Sequence, residues 1–260
     1  MIKKILAAAG FELRKLHQSN VMSAADAKQQ HRDSMEKSLL FLKESGFDPA
    51  VVIDIGAGSG TLPLLQTFPD AKHILIEPLI EFEPQLSALQ KSFKVEFIFA
   101  AVGTGKEAIS INVHKDLYGS SLLKEQDGPV ADGTPRKVPM ISLDSLHEKI
   151  PDPPSSLVIK IDVQGAELDV LRSGPKLLQQ ADLVIMECSF FNFLHNAPDI
   201  TDVICFMKEQ GFVMYDIYDF HNRPIDGALG QADISFVKAD GCFRSSHNWT
   251  TENERRKALQ

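Results

Sequence analysis

Apolar residues follow two rhythms along this 260-residue chain. Short aliphatic or β-branched runs at 51–55, 73–77, 94–99, 157–162, 183–188, 212–218 and 232–238 each have the length of a strand. Between them, apolar residues at three- and four-residue spacing predict helices. One covers about 34–45, with Met35, Leu39, Leu40 and Leu42, and ends at Gly46. Another covers about 61–67, where Pro63 falls in the tolerant first turn. A third carries Phe82, Leu86 and Leu89, a fourth runs over 165–180 with a break at Gly174-Pro175, and a fifth spans about 199–210 and stops at Gly211. Strands alternating with helices predict an α/β fold, a doubly wound seven-stranded sheet that is mostly parallel. Only the last pair of strands, joined without a helix, is expected to be antiparallel. Two more short strands, 107–113 and 136–141, read as an added β-hairpin around a loop of more than twenty residues. Such a loop is either a substrate lid or disordered. Asp144 to Lys149 reads as a short helical turn.

The first strand runs straight into Asp54-Ile55-Gly56-Ala57-Gly58-Ser59-Gly60-Thr61. Glycines at 56, 58 and 60 allow positive φ and leave room for something to approach the backbone. The second strand closes on Glu77, followed by Pro78, 23 residues after Asp54. An acid at that place suits the hydroxyls of a ribose. A nicotinamide site requires Gly-x-Gly-x-x-Gly, so that a pyrophosphate can rest on the helix N-terminus. In the two available registers, the third glycine is replaced by Thr61 or Pro63. Asp54 beside a pyrophosphate is also electrostatically unfavourable. A cofactor with a cationic amino-acid end fits better.

Leu157 to Leu171 holds the second informative run, Ile-Lys-Ile-Asp-Val-Gln-Gly-Ala-Glu from Ile159 to Glu167. In a strand, Lys160 and Asp162 share a face. They lie at the carboxyl end, beside the crevice where open α/β sheets bind ligands, and Glu187 reaches the same edge one strand over. An ammonium beside Asp162 favours its charged form.

The glycine turn resembles motif I of class I methyltransferases that bind S-adenosylmethionine, which have a Rossmann-like sheet. The second run, with Leu143-Asp144-Ser145-Leu146 upstream and Glu187, Gly211-Phe212 and Gln231-Ala232-Asp233 downstream, is similar to the FkbM family. Where that family often has Glu after the valine, this chain has Gln164. The resemblance implies S-adenosylmethionine as cofactor and methyl transfer, commonly to a hydroxyl oxygen of a sugar, glycan or secondary metabolite. It implies cofactor binding by Asp54, Gly56, Ala57, Gly58, Gly60, Thr61, Glu77, Pro78, Ala101, Val102 and Asp162, with Asp54 and the glycine turn at the methionine portion. Small residues at 100–103 let a flat adenine lie close. An attacking alcohol benefits from losing its proton. Asp162 is the first candidate base, though it could instead only orient the cofactor. Glu187 or a histidine is the second. Lys160 orients Asp162 or the acceptor, or else forms a structural ion pair. Glu167 caps the following helix or pairs with Lys160. Tyr118, Ser120, Ser121, His195 and His221 are the candidate acceptor contacts, and Phe190, Phe191 and Phe193 form a hydrophobic wall. Two acids on adjacent strands could hold Mg²⁺, but no third ligand can be named, so no metal site is assigned. The rival functions are a nicotinamide-dependent oxidoreductase and a non-catalytic cofactor-binding domain.

Net charge is −8, which disfavours broad binding to nucleic acid. Charged residues at 24% and apolar residues at 43% are those of a globular domain. The expected division is a helical arm and linker at 1–32, the methyltransferase domain at 33–240 and a polar tail at 241–260. The arm has apolar residues at helical spacing (Ile2, Ile5, Leu6, Ala9, Leu13, Leu16) and a basic edge of Lys3, Lys4, Arg14 and Lys15. That pattern suits a helix packed on the domain or a partner subunit in a homo-oligomer, or one lying on a membrane surface. Gly10 breaks the apolar run early, so export is not expected. Cysteines at 188, 205 and 242 lack the spacing of a zinc site. Cys188 and Cys205 sit in apolar runs and read as reduced core residues, which points to the cytoplasm.

Overall fold

The computed structural model describes residues 31–259, apart from 105–106, 129–130 and 152. The expected amino-terminal arm lies outside the described residues. Seven strands form the main sheet: β1 Val51–Ile55, β2 Lys72–Ile76, β3 Val95–Ile98, β7 Leu157–Ile161, β8 Leu183–Ser189, β9 Phe212–Asn222 and β10 Leu229–Lys238. Their spatial order is β3-β2-β1-β7-β8-β10-β9, and β10 alone runs antiparallel to both of its neighbours. The direction of the chain across the sheet reverses between β1 and β7, the place where open α/β sheets form their binding crevice. A second, three-stranded sheet holds β4 Ala101–Val102, β5 Ala108–Val113 and β6 Thr134–Ile141, with β5 and β6 forming the expected hairpin.

The central strands are buried along their full length, because helices cover both faces of the sheet. On one side are α1 Met35–Glu44 and α2 Leu62–Thr67; α1 is capped by the Ser34 hydroxyl, and α2 has its proline in the first turn. Leu39, Leu42, Leu64 and Phe68 pack there against Val52 and Val158. The other side carries α4 Glu167–Arg172, α5 Pro175–Gln180 and α6 Ile200–Glu209, whose apolar residues meet Ile53, Ile159 and Val184. The helix α3 Glu83–Leu89 packs over β2 towards the small sheet. Gly174 does break the long helical pattern, and a Cβ there would stand 2.4 Å from Leu143.

Several expectations are corrected. The strand expected to end at 218 continues to Asn222, because the β9–β10 hairpin keeps pairing beyond the sheet through bulges. Cys188 is buried, but Cys205 is exposed on α6 rather than in the core. The polar tail contains a helix, α7 Glu252–Ala258, started by a reciprocal capping box between Thr251 and Glu254. Phe243 ties the start of the tail to the domain, stacking edge-on against Phe47 with ring centroids 5.0 Å apart. Among the described residues no helix is long and apolar enough to cross a membrane.

Candidate functional site

The turn after β1 has positive φ at all three glycines: +74° at Gly56, +52° at Gly58 and +96° at Gly60. The three serve different neighbours. A Cβ on Gly56 would lie 1.7 Å from the backbone oxygen of Asp162, so that glycine lets the turns after β1 and β7 touch. A Cβ on Gly60 would lie 2.5 Å from Leu89, which is packing against α3. A Cβ on Gly58 would lie 3.2 Å from the ring of Tyr118, so that glycine lets the ring come close at the edge of a space that both line.

That space is a cavity of about 530 Å³, well sized for a nucleoside cofactor. Gly56, Gly58, Glu77 and Pro78 line one side, and Ala100, Ala101 and Val102 line another. Phe82, Leu79 and Ile111 complete an apolar slot. Asp162, Gln164 and Glu187 line it too, as do Tyr118, Ser120 and His221. The strand register explains why acids collect here. Glu77 and Asp162 directly follow β2 and β7, and Glu187 lies in β8, so three carboxylates reach one crevice.

Glu77 is buried, and its carboxylate accepts the N–H of Gly58 at 2.8 Å and of Leu79 at 2.9 Å. Burial nonetheless pushes it up to about 7. Asp162 accepts from Lys160 Nζ at 3.1 Å with one oxygen and from Gln164 Nε2 at 3.2 Å with the other. Glu187 Oε2 accepts from two side-chain amides, Gln164 at 2.8 Å and Gln231 at 3.0 Å. Its Oε1 accepts no hydrogen bond among the described residues. Burial first, and then the Asp162 charge, push Glu187 up to about 7.

Beneath this wall runs an ion-pair core. Asp54 and Lys160 are direct partners across β1 and β7, and Lys160 Nζ lies 3.6 Å from Asp54 Oδ1. Both are almost fully buried, at 1% and 5% exposure. Burial opposes the ammonium, but Asp162, Asp54 and Asp233 together outweigh it and hold Lys160 above the usual lysine range. Burial also pushes Asp233, on β10, up to about 7, with Lys160 opposing that rise.

These positions revise several roles. Asp54 is not on the cavity wall; its Oδ2 accepts the N–H of Thr61 at 3.2 Å, so it fastens the glycine turn from below. Ala57, Gly60 and Thr61 also stand off the wall, which Ile55, Gly56 and Gly58 line instead. Lys160 is a buried ion-pair partner beneath the wall rather than a contact with the acceptor. Ser121 is buried, and its hydroxyl donates to the Gln164 carbonyl at 2.7 Å, tying the long loop to the β7 turn. His195 is exposed and away from the cavity, because its backbone N–H pairs with Lys124 where the two loops meet. Glu167 neither caps the helix it opens nor pairs with Lys160: its Oε1 accepts the Gly165 N–H at 2.8 Å in the turn before α4, and burial pushes it up to about 7. Phe191 stacks under the Arg223 guanidinium at 3.8 Å. Among the described residues, no three His, Cys, Asp or Glu side chains are grouped as a metal site would need.

Sequence reasoning missed Gln164 as a donor, seeing only a lost acid. Its amide bridges Asp162 and Glu187 from a backbone at φ +53°, and only Gly165 after it signals such a turn in the sequence. Asp233 and Gln231 were visible as landmarks but without a role.

The Methyltransferase FkbM domain, a family known by its sequence pattern, matches residues 54–214. No curated protein sequence matches the chain. Among solved structures, a Pyrococcus horikoshii protein taken to be an RNA methyltransferase is 16% identical, with TM-score 0.43 over 91% of this chain and 98% of its own. Magnesium protoporphyrin IX methyltransferase from Synechocystis, solved with bound S-adenosylmethionine, is 10% identical, with TM-score 0.40 over 91% and 95%. The Burkholderia thailandensis 1,6-didemethyltoxoflavin-N1-methyltransferase, solved with S-adenosylhomocysteine, is 15% identical, with TM-score 0.37 over 79% of each chain.

Proposed function

The chain belongs to the FkbM methyltransferase family, and from that premise we propose that it methylates a hydroxyl oxygen on a sugar, glycan or secondary metabolite. The observation that carries this reading is the meeting of three strand-end carboxylates, Glu77, Asp162 and Glu187, on one cavity above the glycine turn. The residues present suit S-adenosylmethionine. Gly56 and Gly58 bring bare backbone to the cavity wall, the Ala100–Val102 edge suits a flat adenine, and the acids suit the cationic end. When bound, the cofactor supplies the electrophilic methyl group.

The protein's own share is position and proton transfer. Glu77 takes the ribose hydroxyls, and its backbone donors hold it in place. Lys160 and Gln164 engage both oxygens of Asp162, which makes Asp162 the cofactor-orienting acid. Glu187 keeps one oxygen open and sits near neutral pH, where a general base works best. The base role therefore passes from Asp162, the first candidate in the sequence, to Glu187. The rest of the proposal is a catalytic unit spanning 33–240, working in the cytoplasm on a partner that is not nucleic acid.

The test incubates the protein and isotopically labelled S-adenosylmethionine with glycan and metabolite fractions, then locates the label by mass spectrometry. Label on oxygen supports the reading, and label on nitrogen, or none, overturns it. With the acceptor in hand, Glu187→Gln is expected to lower turnover about a hundredfold or more while keeping cofactor affinity within about tenfold. Asp162→Asn lowering turnover that far while Glu187→Gln does not would return the base role to Asp162.

A further inference from the structure

A second cavity, of about 160 Å³, adjoins the main one. Gln164 and Glu187 line both, so the open carboxylate proposed as base is shared by the two spaces. The long loop and the loop after β8 close over this second space, bridged at Glu125 and Leu194.

Its lining chemistry is one-sided. It holds three carboxylates, Glu125, Glu167 and Glu187, and no lysine or arginine. Glu167 is only 6% exposed. Its Oε1 accepts the Gly165 N–H at 2.8 Å. Glu125 stands 3.9 Å from His114 Nε2, beyond hydrogen-bond reach, which leaves its carboxylate open to a closer donor. Burial pushes all three acids up, with His114 opposing the rise at Glu125 and Lys160 opposing it at Glu187. The rest of the wall suits hydroxyls and a ring face: the Gln231 amide, the Ser189 hydroxyl and the Phe193 ring.

Resting on the methyl-transfer reading above, we propose that this second cavity is the acceptor subsite and that it selects a hydroxylated ring bearing an ammonium group, an amino sugar, over an anionic one. From there an acceptor hydroxyl reaches past Gln164 into the cofactor cavity, where Glu187 borders both spaces. The carboxylate takes the hydroxyl proton, the oxygen bonds to the methyl carbon, and the carbon–sulfur bond breaks to leave the neutral thioether. An acidic sugar in the same place meets carboxyl groups and no lysine or arginine.

The experiment uses the full chain loaded with S-adenosylhomocysteine at pH 7, titrated by ligand-observed NMR with glucosamine, glucose and glucuronate. Glucosamine is expected to bind at least about tenfold more tightly than glucuronate, because a buried carboxylate favours a cation and repels an anion. Glu125→Gln is expected to remove at least about threefold of that preference and leave S-adenosylhomocysteine affinity within about twofold, which also shows that the variant folds. Equal or tighter binding of glucuronate, no binding of any of the three sugars, or a preference unchanged by Glu125→Gln overturns the assignment. Failure of wild-type protein to bind S-adenosylhomocysteine strikes the methyl-transfer reading instead, so the two failures are told apart.

Discussion

Replacing Lys160 with methionine removes the ammonium that Asp54 and Asp162 share. The two carboxylates fare differently. The Asp162 side chain is 33% exposed and keeps the Gln164 amide, so water and that donor compensate it. Asp54 is 1% exposed; its Oδ2 keeps the Thr61 N–H, but its Oδ1, which has no hydrogen bond, loses its one ion-pair partner among the described residues. Removing one partner of such a buried pair costs about 3–5 kcal/mol. Each kcal/mol moves the midpoint of a chain this long by about 2–4 °C, so the thermal midpoint falls by about 6–20 °C. Urea titration followed by circular dichroism gives the free energy directly. Asp54→Asn combined with Lys160→Met removes both charges while an oxygen remains for Thr61. The pair is therefore expected to be more stable than Lys160→Met alone. A loss below about 1 kcal/mol for Lys160→Met, or a double variant weaker by the sum of its parts, refutes the argument that the carboxylate is stranded.

Gly56→Ala places a Cβ 1.7 Å from the Asp162 carbonyl oxygen at φ +74°, so it is expected to yield little soluble protein, or protein destabilised by more than about 3 kcal/mol. Ordinary yield with a wild-type midpoint contradicts the close approach of the two turns. Burial pushes Glu77, Glu167, Glu187 and Asp233 up to about 7. A carboxyl raised on folding holds its proton more tightly in the folded state, so its contribution is full below the ordinary carboxylate range and lost as pH rises through about 7. The thermal midpoint of the ligand-free protein, followed by dye fluorescence, is expected to fall between pH 5 and pH 8; a steady climb over that range speaks against it.

Much of the sheet was legible because its central strands are short, continuous apolar runs closed by acids. Lys72–Ile76 and Leu157–Ile161 lie within a residue of the expected spans. The two-residue strand Ala101–Val102 was not, since two residues carry no period. The far end of β9 was missed because Asp219, His221 and Asn222 are polar and the one apolar residue, Phe220, is exposed, so only pairing with β10 makes it a strand. At the site, residue types named Asp54, Glu77, Asp162 and Glu187, but not which of them face ligand. In strands covered on both sides, alternation does not separate an outward acid from one turned under a loop. The Asp54–Lys160 contact depends on a pairing between segments 106 residues apart, and the Gln164 bridge on a left-handed backbone. Neither is written in local sequence.

The cross-strand partnership of Asp54 and Lys160 also acts as a proofreading device during assembly. Both strands are otherwise aliphatic, so hydrophobic contact alone tolerates misalignment. A slip of one residue sets Ile159 or Ile161 opposite the aspartate and strands two opposite charges in oil. Of the neighbouring alignments, only the native one neutralises both charges, and it is also the one that brings the acids of three strands to a common rim.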